Sequence, residues 1–154
     1  MARDWALFVH LLGALLFVGG SIAVAALRLL AIGGSRPSTS ALLLRSARPL
    51  VPLVGVGLAL TLGAGAWLAH ELDVAYGADW LRWTYALVAW LLVVGALAGR
   101  LDRRTRELAE RLAADGDQPS AELARRLRNP VALTLDGSML VATVAIVALM
   151  VWRP

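Results

Sequence analysis

Residues 5–30 read WALFVHLLGALLFVGGSIAVAALRLL, and this stretch decides the fold. His10 and Arg28 are its only ionisable side chains. At a helical rise of about 1.5 Å per residue the run is long enough to cross a hydrocarbon core of about 30 Å. It starts close to Met1, where a signal peptide would sit. Its apolar run is much longer than the roughly 7–15 residues of a signal h-region, and no convincing small-x-small cleavage site follows, so it reads as a retained membrane helix.

Three more runs of the same kind follow, at about 49–69, 80–98 and 131–152. The chain of 154 residues is 59% apolar, with a mean hydropathy of +0.70, and the excess sits in these blocks. A soluble domain is about 45–50% apolar. The expected fold class is therefore all-α: a single membrane domain, 1–154, forming an antiparallel four-helix bundle. The loops at about 31–48 and 100–129 carry most of the charge.

Within the first loop, Gly33-Gly34-Ser35-Arg36-Pro37 stops a helix, and Ser38-Thr39-Ser40 offers a cap for a short surface helix from Ala41 to Ala47. Pro49 and Pro52 stand in the first turn of the second span, where a missing N–H costs little. Gly55, Gly57, Gly63 and Gly65 stud that span, which places it at the centre of the bundle. Gly95-x-x-x-Gly99 closes the third span and is a weak dimer motif. The loop at 100–129 reads as a helical hairpin: Leu101, Leu108 and Leu112 share a stripe, Gly116-Asp117-Gln118-Pro119 turns the chain, and Ser120 caps a second piece ending near Arg128. The first arm can simply extend the third span. Asn129 caps the fourth span, with Pro130 in its first position.

Orientation follows from arginine. The two long loops and their flanks carry Arg28, Arg36, Arg45, Arg48 and the eight arginines from Arg100 to Arg128, whereas Arg3, Arg82 and Arg153 lie on the other side. The positive-inside rule then puts both termini outside and the hairpin in the cytoplasm of a bacterial inner membrane. Trp67, Tyr76, Trp80 and Trp83 form an aromatic belt around the short acidic loop on the outer side. The net charge of +4 does not imply nucleic acid, because the basic residues flank membrane spans. The expected surroundings are lipid, with a homodimer or a larger membrane complex as possible assemblies.

Composition excludes several chemistries. There is no cysteine, hence no thiolate metal site or CxxC redox pair, and no lysine, hence no Schiff base. Arginine used throughout, with abundant Ala, Leu and Val, fits a GC-rich bacterial genome. No Ser-His-Asp set, phosphate-binding glycine loop or HExxH motif marks a hydrolase or transferase.

Ionisable groups in lipid are candidates for function. His10 lies about 7 Å below the outer interface, counted from Trp5, and His70 ends the second span on the same side. Neutral imidazole is a common metal ligand and a standard axial ligand of haem iron. The pair could hold haem or copper; equally, His10 could be hydrogen-bonded inside the bundle with His70 at the interface. His70 lies four or five residues shallower than His10, which sets a mismatch in depth. On the cytoplasmic side Asp136 reaches a depth similar to Arg28, as an ion pair or a proton or cation pathway. Ser21, Thr61, Thr84, Thr134, Ser138 and Thr143 are expected to bond their own helix backbone.

The stretch His10-Leu-Leu-Gly13-Ala-Leu-Leu-Phe17-Val-Gly19-Gly20 resembles the opening helix of CopD-like copper-resistance membrane domains, with Phe17 where their pattern has tryptophan. It is similar, more distantly, to the first helix of HemJ, a haem-associated membrane protein linked to protoporphyrinogen oxidation. Gly65-Ala66-Trp67-Leu68 and the close from Met150 to Pro154 resemble an uncharacterised family of four-helix bacterial membrane proteins. The resemblance implies that His10 is a ligand. HemJ-like relatives also use a lysine, which this chain lacks. The resulting expectation is a haem b-binding, or alternatively copper-binding, protein for electron transfer or haem and metal handling. Its site would comprise His10, His70, Gly13, Phe17 and Gly20, with Gly13, Gly19 and Gly20 leaving room for a planar group. Any enzymatic activity would be a haem-linked oxidoreduction. The rival is a cofactor-free small transporter or a structural subunit.

Overall fold

The computed structural model describes residues 1–72 and 79–152. Six helices follow one another: α1 (Ala2–Gly33), α2 (Pro37–Ala47), α3 (Leu50–Glu71), α4 (Asp79–Ala114), α5 (Ala121–Leu127) and α6 (Pro130–Trp152). Among the described residues four segments are long and apolar enough to cross a membrane, carried by α1, α3, α4 and α6. Tyr76 of the expected belt and the closing Arg153-Pro154 lie outside the described residues.

Helix α1 shows why the spans pack as they do. Its buried positions are Ala6, Gly13, Phe17, Gly20, Arg28 and Ala31, a stripe of three- and four-residue steps with gaps. Most of its remaining side chains are apolar, and many are exposed: Leu15 is 72% and Leu29 63% open. An outward face of that character suits lipid, not water.

Helix α1 packs most closely on α3, and α4 on α6. Glycine sets the first contact. A Cβ on Gly13 would stand 2.6 Å from the Thr61 backbone nitrogen, and one on Gly57 would stand 2.5 Å from that of Phe17. Only glycine at both positions lets the two backbones meet. The two pairs then join through larger side chains. Phe17, Val88, Leu91, Ala142 and Ile146 form a core that also takes in Val54, Leu58 and Leu62 from α3.

This changes the place expected for α3. Gly55 and Gly63 have nothing within 4 Å of a would-be Cβ, so one face of the helix is open. Its close partner is α1, and it flanks the bundle instead of centring it. The glycines of α3 serve two purposes: Gly57 and Gly65 admit α1, and Gly55 and Gly63 do not.

Helix α4 has 36 residues and is about 54 Å long, so it overruns a bilayer core by some 24 Å. The overrun supports a second core at the arginine-rich end. Ala31, Ala41, Leu44, Ala109, Leu123 and Leu127 are buried together there, from α1, α2, α4 and α5. The two long loops therefore fold on one another. Helix α2 begins at Pro37, earlier than Ala41, with no side-chain cap at Arg36. Ser38 is instead tied to the hairpin turn: its amide and its hydroxyl donate to the Asp117 carboxylate, each at 2.7 Å. Asp117 adopts φ 56°, a left-handed conformation that aspartate tolerates better than most side chains. Ser120 caps α5 by accepting from the Leu123 amide, and Asn129 accepts from the Val131 amide at the start of α6.

Candidate functional site

Among the described residues, ionisable side chains enter the packed spans at two places. The first is His10, half-buried on α1 at the seam with α3. Its Nδ1 lies 2.9 Å from the Thr61 carbonyl oxygen. A carbonyl only accepts, so Nδ1 donates and the proton is fixed there. In the neutral ring the lone pair is then on Nε2. Thr61 is held in turn by its own hydroxyl, which donates to Gly57 O at 2.8 Å. Gly65 clears the ring: a Cβ there would stand 3.1 Å from His10 Nδ1.

The other residues expected around His10 are distributed along the seam. Gly13 and Gly20 lie on its stripe, but α3 takes the space beside them, with Thr61 against the first and Val54 Cγ2 at 2.7 Å from a Cβ on the second. At Gly13 and Gly20 the space is filled by helix packing, whereas a Cβ on Gly19 would have nothing within 4 Å. Phe17 is buried in the central core. His70 is exposed in the last turn of α3, five residues, or about 7.5 Å of helix, beyond Gly65, the residue level with His10. Among the described residues no group of three or more His, Asp or Glu side chains gathers as a metal centre.

The second position lies toward the arginine-rich end. Arg28 Nη1 stands 2.8 Å from Asp136 Oδ2 on α6 and 3.0 Å from Asp102 Oδ1 on α4. Both are ion-pair contacts in distance, and neither is aligned as a hydrogen bond. The Arg28 side chain is 9% exposed, and those of Asp102 and Asp136 are 34% and 30%. Three spans thus meet in one polar layer, with two carboxylates against one guanidinium.

Asp102 was not among the expected site residues, although its signal was present. The buried positions of α4 include Leu91, Val94 and Ala98, and the next four-residue step lands on Asp102. The same reading extends the Ala132 stripe of α6 to Asp136. The six hydroxyls expected to bond their own helix backbone do so, as in Ser21 to Phe17 O at 2.7 Å and Thr143 to Met139 O at 2.9 Å.

The fold and these two positions define a class: a multi-pass helical membrane protein with one half-buried imidazole and one buried ionic layer. The chain belongs to the family described as a predicted integral membrane protein (DUF2269), whose model matches residues 5–154. That match supports the expected uncharacterised membrane family and does not extend to CopD-like domains or HemJ. No curated protein and no solved structure matches the chain.

Proposed function

We propose that this is a haem b-binding protein of the bacterial inner membrane, with both termini outside and His10 as the ligand to iron, acting in electron transfer or haem handling. The observation that carries the proposal is the bond from His10 Nδ1 to Thr61 O. Ligating histidines characteristically donate the other ring N–H to a carbonyl or carboxylate, which fixes the tautomer and raises ligand basicity. His10 is held in this way on an apolar helix, with the Nε2 lone pair left to bind. The donor fits a haem iron and, less well, copper, since Cu(I) favours thiolate or thioether help. Bound haem would supply one-electron chemistry. The protein's part is to hold the imidazole in one tautomer and orientation, which Thr61 and Gly65 do.

A second reading, a cofactor-free transporter or assembly subunit, is favoured by the closed seam at Gly13 and Gly20. In that reading the His10–Thr61 bond is a contact between helices. Purification from haem-replete cells, with metal analysis, separates the two. The haem reading expects a Soret band that shifts on dithionite reduction and is lost in His10→Ala. His70→Ala retains the band if His10 is the only protein ligand. A colourless, metal-free preparation overturns the haem reading and supports the second.

A further inference from the structure

At the arginine-rich end a cleft of about 300 Å³ opens between the α1–α2 connection and α5. Its floor is apolar, made by Ile32, Leu123 and Leu127. Its polar lining is Ser35, Arg36, Ser40, Ser120 and Arg128, with no carboxylate among the lining residues.

The hydrogen bonding of that lining is one-sided. Among the described residues the Arg128 guanidinium has no acidic partner within ion-pair distance, and neither has Arg36. Asp117, which faces Arg36 electrostatically, already accepts two bonds from Ser38. Ser120 Oγ accepts from the Leu123 amide, so its O–H is left to donate. Ser40 donates to Ala31 O at 3.1 Å and closes the inner wall. The cleft therefore offers two guanidinium groups and at least one hydroxyl donor to an acceptor-rich ligand.

Position selects the ligand further. Arg36 follows the end of α1 by three residues, and Arg128 precedes the start of α6 by two. Both spans leave the apolar layer here, so the cleft lies at headgroup depth, whichever side of the membrane this end faces. We propose that it binds the phosphate of an anionic phospholipid, held between Arg36 and Arg128, with the glycerol portion against Ile32 and Leu127. Basic pockets beside membrane helices recognise lipid phosphates by the same charge-assisted bonds. The inference is independent of His10.

The test is thermal unfolding and native mass spectrometry of the full chain in neutral detergent. Phosphatidylglycerol, phosphatidylcholine and inorganic phosphate are titrated separately. Phosphatidylglycerol is expected to bind and raise the melting temperature, and Arg36→Ala with Arg128→Ala to weaken it about tenfold. Arg125→Ala, outside the cleft, should bind as wild type. Circular dichroism and elution volume establish that each variant is folded, and Arg128→Gln alone, expected to lose part of the affinity, serves if the double variant is not. Equal binding by the folded double variant, or equal binding of phosphatidylcholine, overturns the proposal. A response to inorganic phosphate with none to phosphatidylglycerol overturns the lipid assignment and makes the source a soluble phosphate.

Discussion

Arg28 on the first span and Asp136 on the last stand 2.8 Å apart, and Asp102 of α4 reaches the same guanidinium nitrogen at 3.0 Å. The layer fixes the relative depth of three helices. Hydrophobic packing alone would tolerate a slide by one turn, whereas a slide here would leave an unpaired charge in a medium of low dielectric.

Removing Arg28 should therefore cost more than removing either acid. Arg28→Met leaves two carboxylates facing each other and is expected to lose about 2–3 kcal/mol. That is discounted from the full cost of breaking a buried pair because both acids are about one-third exposed. Asp136→Asn keeps one full ion pair and should lose about 1 kcal/mol. Adding Asp102→Asn and Asp136→Asn to Arg28→Met should restore most of the loss. Unfolding in detergent monitored by circular dichroism checks the order.

The α1–α3 seam gives a second expectation. At Gly57 a methyl group would meet the Phe17 backbone, which cannot yield by a side-chain rotation. Gly57→Ala should push the helices apart and cost about 1–3 kcal/mol. Gly19→Ala, where nothing lies within 4 Å, should be neutral or slightly stabilising through helix propensity. Melting temperatures of the two variants in one detergent decide this.

His10 can be examined without any cofactor. Nitrogen NMR of labelled histidine should show the neutral His10 ring with its proton on Nδ1, as the Thr61 carbonyl requires. Gly65→Val places bulk against the ring and should release it to a mixture of tautomers. If haem binds, the same variant should lower its occupancy.

The tie between the loops should depend on acid. The bonds from the Ser38 hydroxyl and amide, with Arg36 nearby, hold the Asp117 carboxyl below its ordinary range. A group whose folded pKa is depressed adds stability above its unfolded pKa, and that stability is lost as pH falls through the folded value. Hydrogen exchange at the Ser38 amide should therefore stay slow at neutral pH and lose protection below about pH 4. Asp117→Asn, which suits the same left-handed backbone, should flatten this dependence.

Much of the fold was legible because lipid imposes a blunt rule. Twenty or so apolar residues in a row must be a helix, since no water is present to satisfy an open backbone. The same rule marked His10, His70, Arg28 and Asp136 as candidates, and local chemistry gave the caps at Ser120 and Asn129. Asp102 was passed over because α4 was divided at the membrane edge, and the helix continues through it to Ala114.

The chain on its own specified the four membrane spans and the positions of their polar groups, because these depend on neighbours along the chain. The tertiary structure alone decided which faces meet. Gly13 and Gly57 are seam residues while Gly19 and Gly55 face outward, and nothing in their local sequence separates them. The tie from Ser38 to Asp117, the second acid at Arg28 and the carbonyl that orients His10 each join residues distant in the chain. Such contacts arise from the relative rotation and depth of whole helices, which the packing of all four spans sets together.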